Sequence, residues 1–111
     1  MEIKSTILKR CALLIAAGRV DSATAPQLQA ALEALTDEGT YKIVIDMKDV
    51  DFISSAGLWV LVNSQKTCKR FNRGEVVLAG IAPRVQSALE LAGFGPYFRQ
   101  FDESTQAVGS F

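Results

Sequence analysis

The sequence predicts a single α/β domain built on a mixed sheet of about four to five strands. Three observations lead there. The chain has 111 residues, 49% of them apolar and 22% charged, which suits one domain with one continuous core and no need of disulfides or metals. Short β-branched or apolar runs alternate with segments of helical length and period, the pattern of strands joined by crossover helices. Only a couple of residues separate the first two strand-like runs, so that pair can be antiparallel, whereas the later strands need crossovers.

The elements follow in order. "EIKSTILK" alternates as a strand, and "CALLIAAG" is a continuous apolar run that reads as a buried one. Asp21 to Thr24 form a polar break rich in N-cap types. A helix follows in "APQLQAALEALTDEG", with Leu28, Ala31, Leu32 and Leu35 at helical spacing, Pro26 near its start and Gly39 at its end. "YKIVIDM" (41–47) is a central strand ending in Asp46, followed by a polar "KDVD" and a short "FIS". A helix is expected over residues 55–71, then a strand in "EVVLAG" opened by turn residues at 72–74. Pro83 and Gly93 bracket a third helix with Val85, Leu89 and Ala92 inward, and the last fifteen residues offer a short strand and one further helix. The expected order is β-β-α-β-α-β-α-β, one domain over residues 1–111.

Composition removes several functional classes. Twelve basic and twelve acidic residues cancel, and the longest basic cluster, "CKRFNR", is diluted by Phe71 and Asn72. No nucleic-acid partner is expected, because that binding needs a basic field. Histidine is absent, which excludes Ser-His-Asp and Cys-His nucleophile systems and histidine-containing metal sites. No metal-ligand cluster or phosphate-binding glycine loop stands out, and no cofactor is expected. Cys11 and Cys68 lie far apart in apolar surroundings and read as core fillers in a reduced, cytoplasmic setting. The N-terminal run has no leader pattern, and no stretch is long enough to cross or insert into a bilayer.

The stretch "ISSAGLWV" (53–60) carries the functional interest, since it sits where a strand leads into a helix N-terminus. On that helix Leu58, Leu61, Val62 and Cys68 form the core face, while Trp59, Asn63, Lys66 and Arg70 share the opposite side. Ser55 falls on the first turn, toward the edge of Trp59 and Lys66. Either serine serves as an N-cap, yet no Glu or Gln completes a capping box. Gly57 in the first turn costs helix stability and signals the close approach of another group. A phosphate on Ser55 would be tolerated by the helix dipole while adding about two negative charges to the outer surface. Lys66 lies several turns from Ser55, too far to activate it as a nucleophile, so no enzyme activity is expected. Trp59 reads either as a seal under another segment or as a partner contact.

Taken together, "VIDMKDVDFISSAGLWVLV", "GRVDSATAPQLQAAL" and "VVLAGIAPRVQSALELAGF" resemble the STAS domain, specifically the stand-alone bacterial anti-sigma factor antagonists. The resemblance extends along nearly the whole chain and implies a STAS-like sheet with crossover helices packed mainly on one face. It implies a transcription regulator of the partner-switching kind: the protein binds an anti-sigma factor that is also a serine kinase, frees the sigma factor, and is switched off by phosphorylation. A metal-dependent serine phosphatase would restore binding. Matched position by position, the phosphoacceptor is Ser55. Asp21 and Asp46 match acidic positions near the site, and partner contacts are expected from Asp21, Ser54, Ser55, Gly57, Trp59, Asn63 and Lys66. The chain departs from relatives with Ser54 where some have Asp, Ala56 in place of a hydroxyl residue, and Trp59 where small or basic residues are usual. A monomer or weak dimer is expected. The competing reading keeps the fold and makes the chain an accessory subunit docking, unphosphorylated, on an ATPase component of a membrane transport system.

Overall fold

A computed structural model describes all of residues 1–111. Five strands and four helices follow the expected order: β1 (Glu2–Ile7), β2 (Ala12–Val20), α1 (Ala25–Asp37), β3 (Lys42–Ile53), α2 (Ser55–Lys69), β4 (Glu75–Ala79), α3 (Pro83–Leu91), β5 (Gln100–Phe101) and α4 (Ser104–Gly109). The strands lie side by side in chain order, β1-β2-β3-β4-β5, with β1 antiparallel to β2 and every other pair parallel.

That order fixes the layers. Each parallel neighbour is reached by one crossover, and crossovers are almost always right-handed, so consecutive steps in one direction put their helices on the same face. Accordingly α1 (Leu28, Leu32, Leu35), α2 (Leu58, Leu61, Val62, Cys68) and α3 (Val85, Leu89) share one core with Ala12, Leu14 and Ala16 of β2, Ile43, Ile45 and Met47 of β3, and Val76 and Leu78 of β4. The alternate residues Val44, Val77 and Ala79 face the other way, against Ala107 of α4 and Cys11. Both cysteines are buried and unpaired, and burial pushes the Cys68 thiol up to about 11, so neither is a reactive thiolate.

Three boundaries differ from the sequence reading. The strand read as residues 41–47 continues to Ile53, because "KDVDFI" pairs with β2 past two register shifts, between Ile15 and Ala17 and between Gly18 and Arg19. The core residues of β3 show this directly: Ile43, Ile45 and Met47 are two apart, then Val50 and Ile53 are three apart. Each step of three is a β-bulge that absorbs one extra residue, so strict alternation no longer marks the strand. The second helix stops at Lys69 and not at Phe71, because Phe71 and Asn72 adopt left-handed backbone angles, φ 58° and 56°. Arg73 closes that helix end, donating to the carbonyls of Thr67 (2.7 Å) and Arg70 (3.0 Å). Ala92, read as inward, caps α3 and is exposed.

One buried polar side chain holds α2 to the sheet edge. Gln65 is 4% exposed. Its Nε2 donates to the carbonyls of Val76 (3.1 Å) and Tyr97 (2.7 Å), and its Oε1 accepts the Val76 N–H (2.6 Å). The strand β5 pairs with β4 only at Leu78 and Ala79, so at Val76 a side-chain amide takes the place of a neighbouring strand. Replacing Gln65 by near-isosteric Met strands both backbone groups of Val76 in a dry site. We expect Gln65→Met to lower stability by about 2–6 kcal/mol, since a buried donor and a buried acceptor each cost about 1–3 kcal/mol when left unpaired. Equilibrium urea unfolding measures this, with exposed Gln27→Met as a variant expected to change little.

Candidate functional site

The site is assembled where β2 and β3 end. Val20 closes β2 and its carbonyl accepts the backbone N–H of Ser54 at 2.8 Å, which binds the start of α2 to the end of the neighbouring strand. Ser54 is the N-cap, with extended backbone, its Oγ accepting the Gly57 N–H at 3.4 Å and its carbonyl accepting the Leu58 N–H at 3.0 Å. The amides of Ser55 and Ala56 have no carbonyl partner within the helix, as at any helix start. Ser55 is exposed, and none of the side-chain hydrogen bonds at this end, which join Asp21, Thr24, Ser54 and Gly57, involves it. Ser54 therefore initiates the helix and Ser55 presents a free hydroxyl at its positive end.

Asp21 begins the loop after β2. Its Oδ1 accepts the N–H groups of Ala23 (3.0 Å) and Thr24 (3.1 Å) and the Thr24 hydroxyl (3.2 Å), and Arg19 approaches Oδ2 at 3.9 Å. These donors, the Thr24 N–H foremost, hold its carboxyl below the ordinary range. Asp21 thus shapes the turn into α1 and keeps a fixed negative charge beside the strand ends. Arg19 also lies over the ring of Phe52, 4.2 Å from its centroid, joining the last turns of β2 and β3.

Along α2, Ser55, Trp59, Asn63 and Lys66 are all exposed and fall on one stripe. Trp59 is 50% exposed. Its inner edge packs T-shaped on Phe94, centroids 5.3 Å apart, and Phe94 packs on Tyr97 at 5.6 Å. Leu91 (90%), the last residue of α3, and Tyr97 (48%), in the segment after it, are also exposed. Trp59 is consequently half seal and half surface, braced by a neighbouring loop. Sequence reasoning missed Phe94, Tyr97 and Leu91, which lie more than thirty residues from Trp59; large apolar residues at the end of the third helix and in the short glycine- and proline-punctuated segment after it were the available signal.

These observations coincide with a family match, in which the model of the STAS domain covers residues 2–107. The chain belongs to the STAS domain family. BtrV of Bordetella bronchiseptica, named as an anti-sigma factor antagonist, is 37% identical over 111 residues, 98% of this STAS chain and 95% of that protein. Among solved structures, an anti-sigma factor antagonist from Thermotoga maritima superposes with a TM-score of 0.89 at 20% identity, covering 97% of this chain and 92% of that one. The antagonist SpoIIAA superposes at 0.83 in its unphosphorylated form and 0.76 in its phosphorylated form, at 14% identity in each case. The first comparison covers 98% of this chain and 95% of SpoIIAA, the second 98% of each. At those identities the structural likeness establishes the fold.

Of the residues expected at this STAS site, Asp46 stands elsewhere and Gly57 lies beneath the surface. Asp46 precedes the first bulge and alternates with Ile45 and Met47, so it points to the face opposite α2. There it accepts the Lys48 N–H at 3.0 Å and lines a cleft with Asp102, Glu103, Ser104 and Thr105. Gly57 is buried in the first turn of α2. A Cβ on it would lie 2.5 Å from Val20 Cγ1 and 2.8 Å from Ile53 Cγ1, so its bareness lets the first turn of α2 rest on the strand ends.

Two outcomes follow. Gly57→Ala should destabilise the fold by up to about 2 kcal/mol in thermal or urea melts, the overpacking cost of about 1–3 kcal/mol being offset by a gain of about 1 kcal/mol in helix propensity. For Asp21 the folded pKa lies below its ordinary value of 3.8. Its contribution to stability is therefore complete above that value and is lost as pH falls through the lower folded value. Asp21→Asn should flatten the acid limb of a plot of urea midpoint against pH, relative to the parent protein.

Proposed function

We propose that this STAS domain is an anti-sigma factor antagonist whose binding is gated by phosphorylation of Ser55. The carrying observation is the division of labour at the head of α2: Ser54 caps the helix, while Ser55 is exposed with an unengaged hydroxyl. A modification there adds charge without removing a fold-stabilising bond. The helix N-terminus favours a dianion, so the domain stays folded in both states while the docking surface changes sign locally. The 37% identity to an anti-sigma factor antagonist along 98% of the chain supports this reading. So does the existence of SpoIIAA, a protein of the same fold, in unphosphorylated and phosphorylated forms.

The partner is an anti-sigma factor with serine kinase activity. It docks on the stripe Ser55, Trp59, Asn63 and Lys66, with Asp21 at the near end and the Phe94–Tyr97 loop alongside Trp59. Binding sequesters the anti-sigma factor and releases its sigma factor. Phosphate on Ser55 ends the complex, and a metal-dependent serine phosphatase restores it. In this reading the chain acts as the substrate and ligand of other proteins in the cytoplasm.

Incubation with the kinase and ATP should add one phosphate, mapped to Ser55 by mass spectrometry and absent in Ser55→Ala. Ser54→Ala should still accept it on Ser55 while losing about 0.5–2 kcal/mol of stability with its cap. Ser55→Asp should bind the anti-sigma factor at least about tenfold more weakly, a difference of about 1.4 kcal/mol. Retention of parental affinity by Ser55→Asp, measured by calorimetry, would refute the charge switch. Trp59→Ala should cost the complex about 2 kcal/mol, the scale of a half-buried aromatic anchor.

A further inference from the structure

The end of the sheet opposite Ser55 carries a second feature. Two clefts adjoin there and share Lys42 and Arg73. One, of about 330 Å³, is lined by Lys9, Arg10, Lys42 and Arg73 together with Thr40 and Tyr41. The other, of about 570 Å³, is lined by Lys42, Lys69, Arg73 and Arg99 together with Asn72 and Ser110. Six cations thus border a continuous concave surface in a chain of zero net charge. The only acidic side chain in either lining is Glu75, and Arg99 already holds it, Nη2 to Oε1 at 2.7 Å. Arg10 reaches the carbonyl oxygen of Phe111 at 3.5 Å. Lys9, Lys42 and Lys69 are exposed and form no ion pair, since the structure has only Arg99–Glu75 and Arg19–Asp21.

Arg73 between the two clefts is fixed in place. Besides its bonds to the Thr67 and Arg70 carbonyls, its guanidinium lies 3.8 Å from the centroid of Tyr41 and 5.8 Å from that of Phe71. The strand ends at the Ser55 pole are different in sign, their cleft being lined by Asp46, Asp102 and Glu103 with Lys48 alone opposing them. The two cleft linings thus differ in sign, six cations at one end of the strands and three carboxylates at the other. Crowded, unpaired cations repel one another and focus an attractive potential for anions in a concavity.

We propose that this double cleft binds a small polyanion of phosphate chemistry, with Lys9, Lys42 and Lys69 as movable donors and Arg73 as the fixed one. The concavity and its hydroxyl and amide lining, Thr40, Tyr41, Asn72 and Ser110, suit several closely spaced anionic oxygens. The site lies at the far end of α2 from Ser55, so occupation leaves the proposed docking stripe open. This inference stands apart from the reading of Ser55.

The test is calorimetric titration with inorganic tripolyphosphate and, separately, with a sugar bisphosphate, accompanied by amide chemical-shift mapping. Saturable binding of either that shifts residues 9–11, 40–42 and 69–74 supports the proposal, and the tighter of the two names the source of the phosphate. The double variant Lys42→Ala/Lys69→Ala should bind about tenfold or more weakly with an unchanged melting curve, and added salt should weaken the parent. Lys4→Ala, an exposed lysine on β1 outside both linings, should leave affinity unchanged. Absence of saturable binding, shifts confined to other residues, or equal weakening by Lys4→Ala would each overturn it. Binding of poly-glutamate to the cleft in place of the phosphates would assign the surface to an acidic protein and overturn it as well. Ser55→Asp should bind the phosphates as the parent does, so failure at one pole is distinguishable from failure at the other.

Discussion

Right-handed crossover connections, applied three times in one direction, organise this molecule. With strands in the order β1-β2-β3-β4-β5, α1, α2 and α3 have no choice of side, and all three join one core on one face. The middle crossover is α2, which is flanked on both sides and can bury Leu58, Leu61, Val62 and Cys68 while its outer stripe stays in water. The other face receives only α4, held chiefly by small Ala107 against Val44, Val77 and Ala79. Because α2 follows directly on β3, its start lies at the carboxyl ends of the parallel strands, where open α/β sheets place their working groups.

At that start, packing and capping are separated residue by residue. Gly57 vacates space for Val20 and Ile53, Ser54 supplies the cap and the tie to Val20, and Leu58 enters the core. Ser55 is the one position of the turn with no structural duty. A residue so placed can change charge at little cost to the fold. Its immediate neighbours, Asp21 through the strand end and Trp59 one turn along, are fixed by bonds and packing of their own.

Much of the architecture was legible in the chain because two periods are enough to read it. Helical spacing of Leu28, Leu32 and Leu35 and of Leu58, Leu61 and Val62 located both helices and their inward faces, and all six are buried. The brief gap before Ala12 disclosed the antiparallel pair. What escaped was whatever breaks a period or joins distant residues. The bulges of β3 replaced steps of two by steps of three, so "KDVD" read as a loop. The left-handed pair Phe71–Asn72 ended α2 early without glycine to announce it. Gly57 was recognised as a point of close approach, but the approaching groups are Val20 and Ile53, not a partner. Phe94 beneath Trp59 and the gathering of Lys9, Lys42 and Lys69 at one pole are products of topology, invisible to any local window.

Gln65 has a further consequence for how the molecule moves. Because its amide bonds both backbone groups of Val76 and the carbonyl of Tyr97, the outer edge of β4 is completed by a helix side chain. That edge cannot fray while α2 remains seated, and α2 cannot lift without opening the edge and freeing the loop that braces Trp59. Helix, sheet border and aromatic loop belong to one cooperative unit, which opens and closes together. A partner docked on the proposed α2 stripe would therefore meet such opening as one event and not as gradual softening.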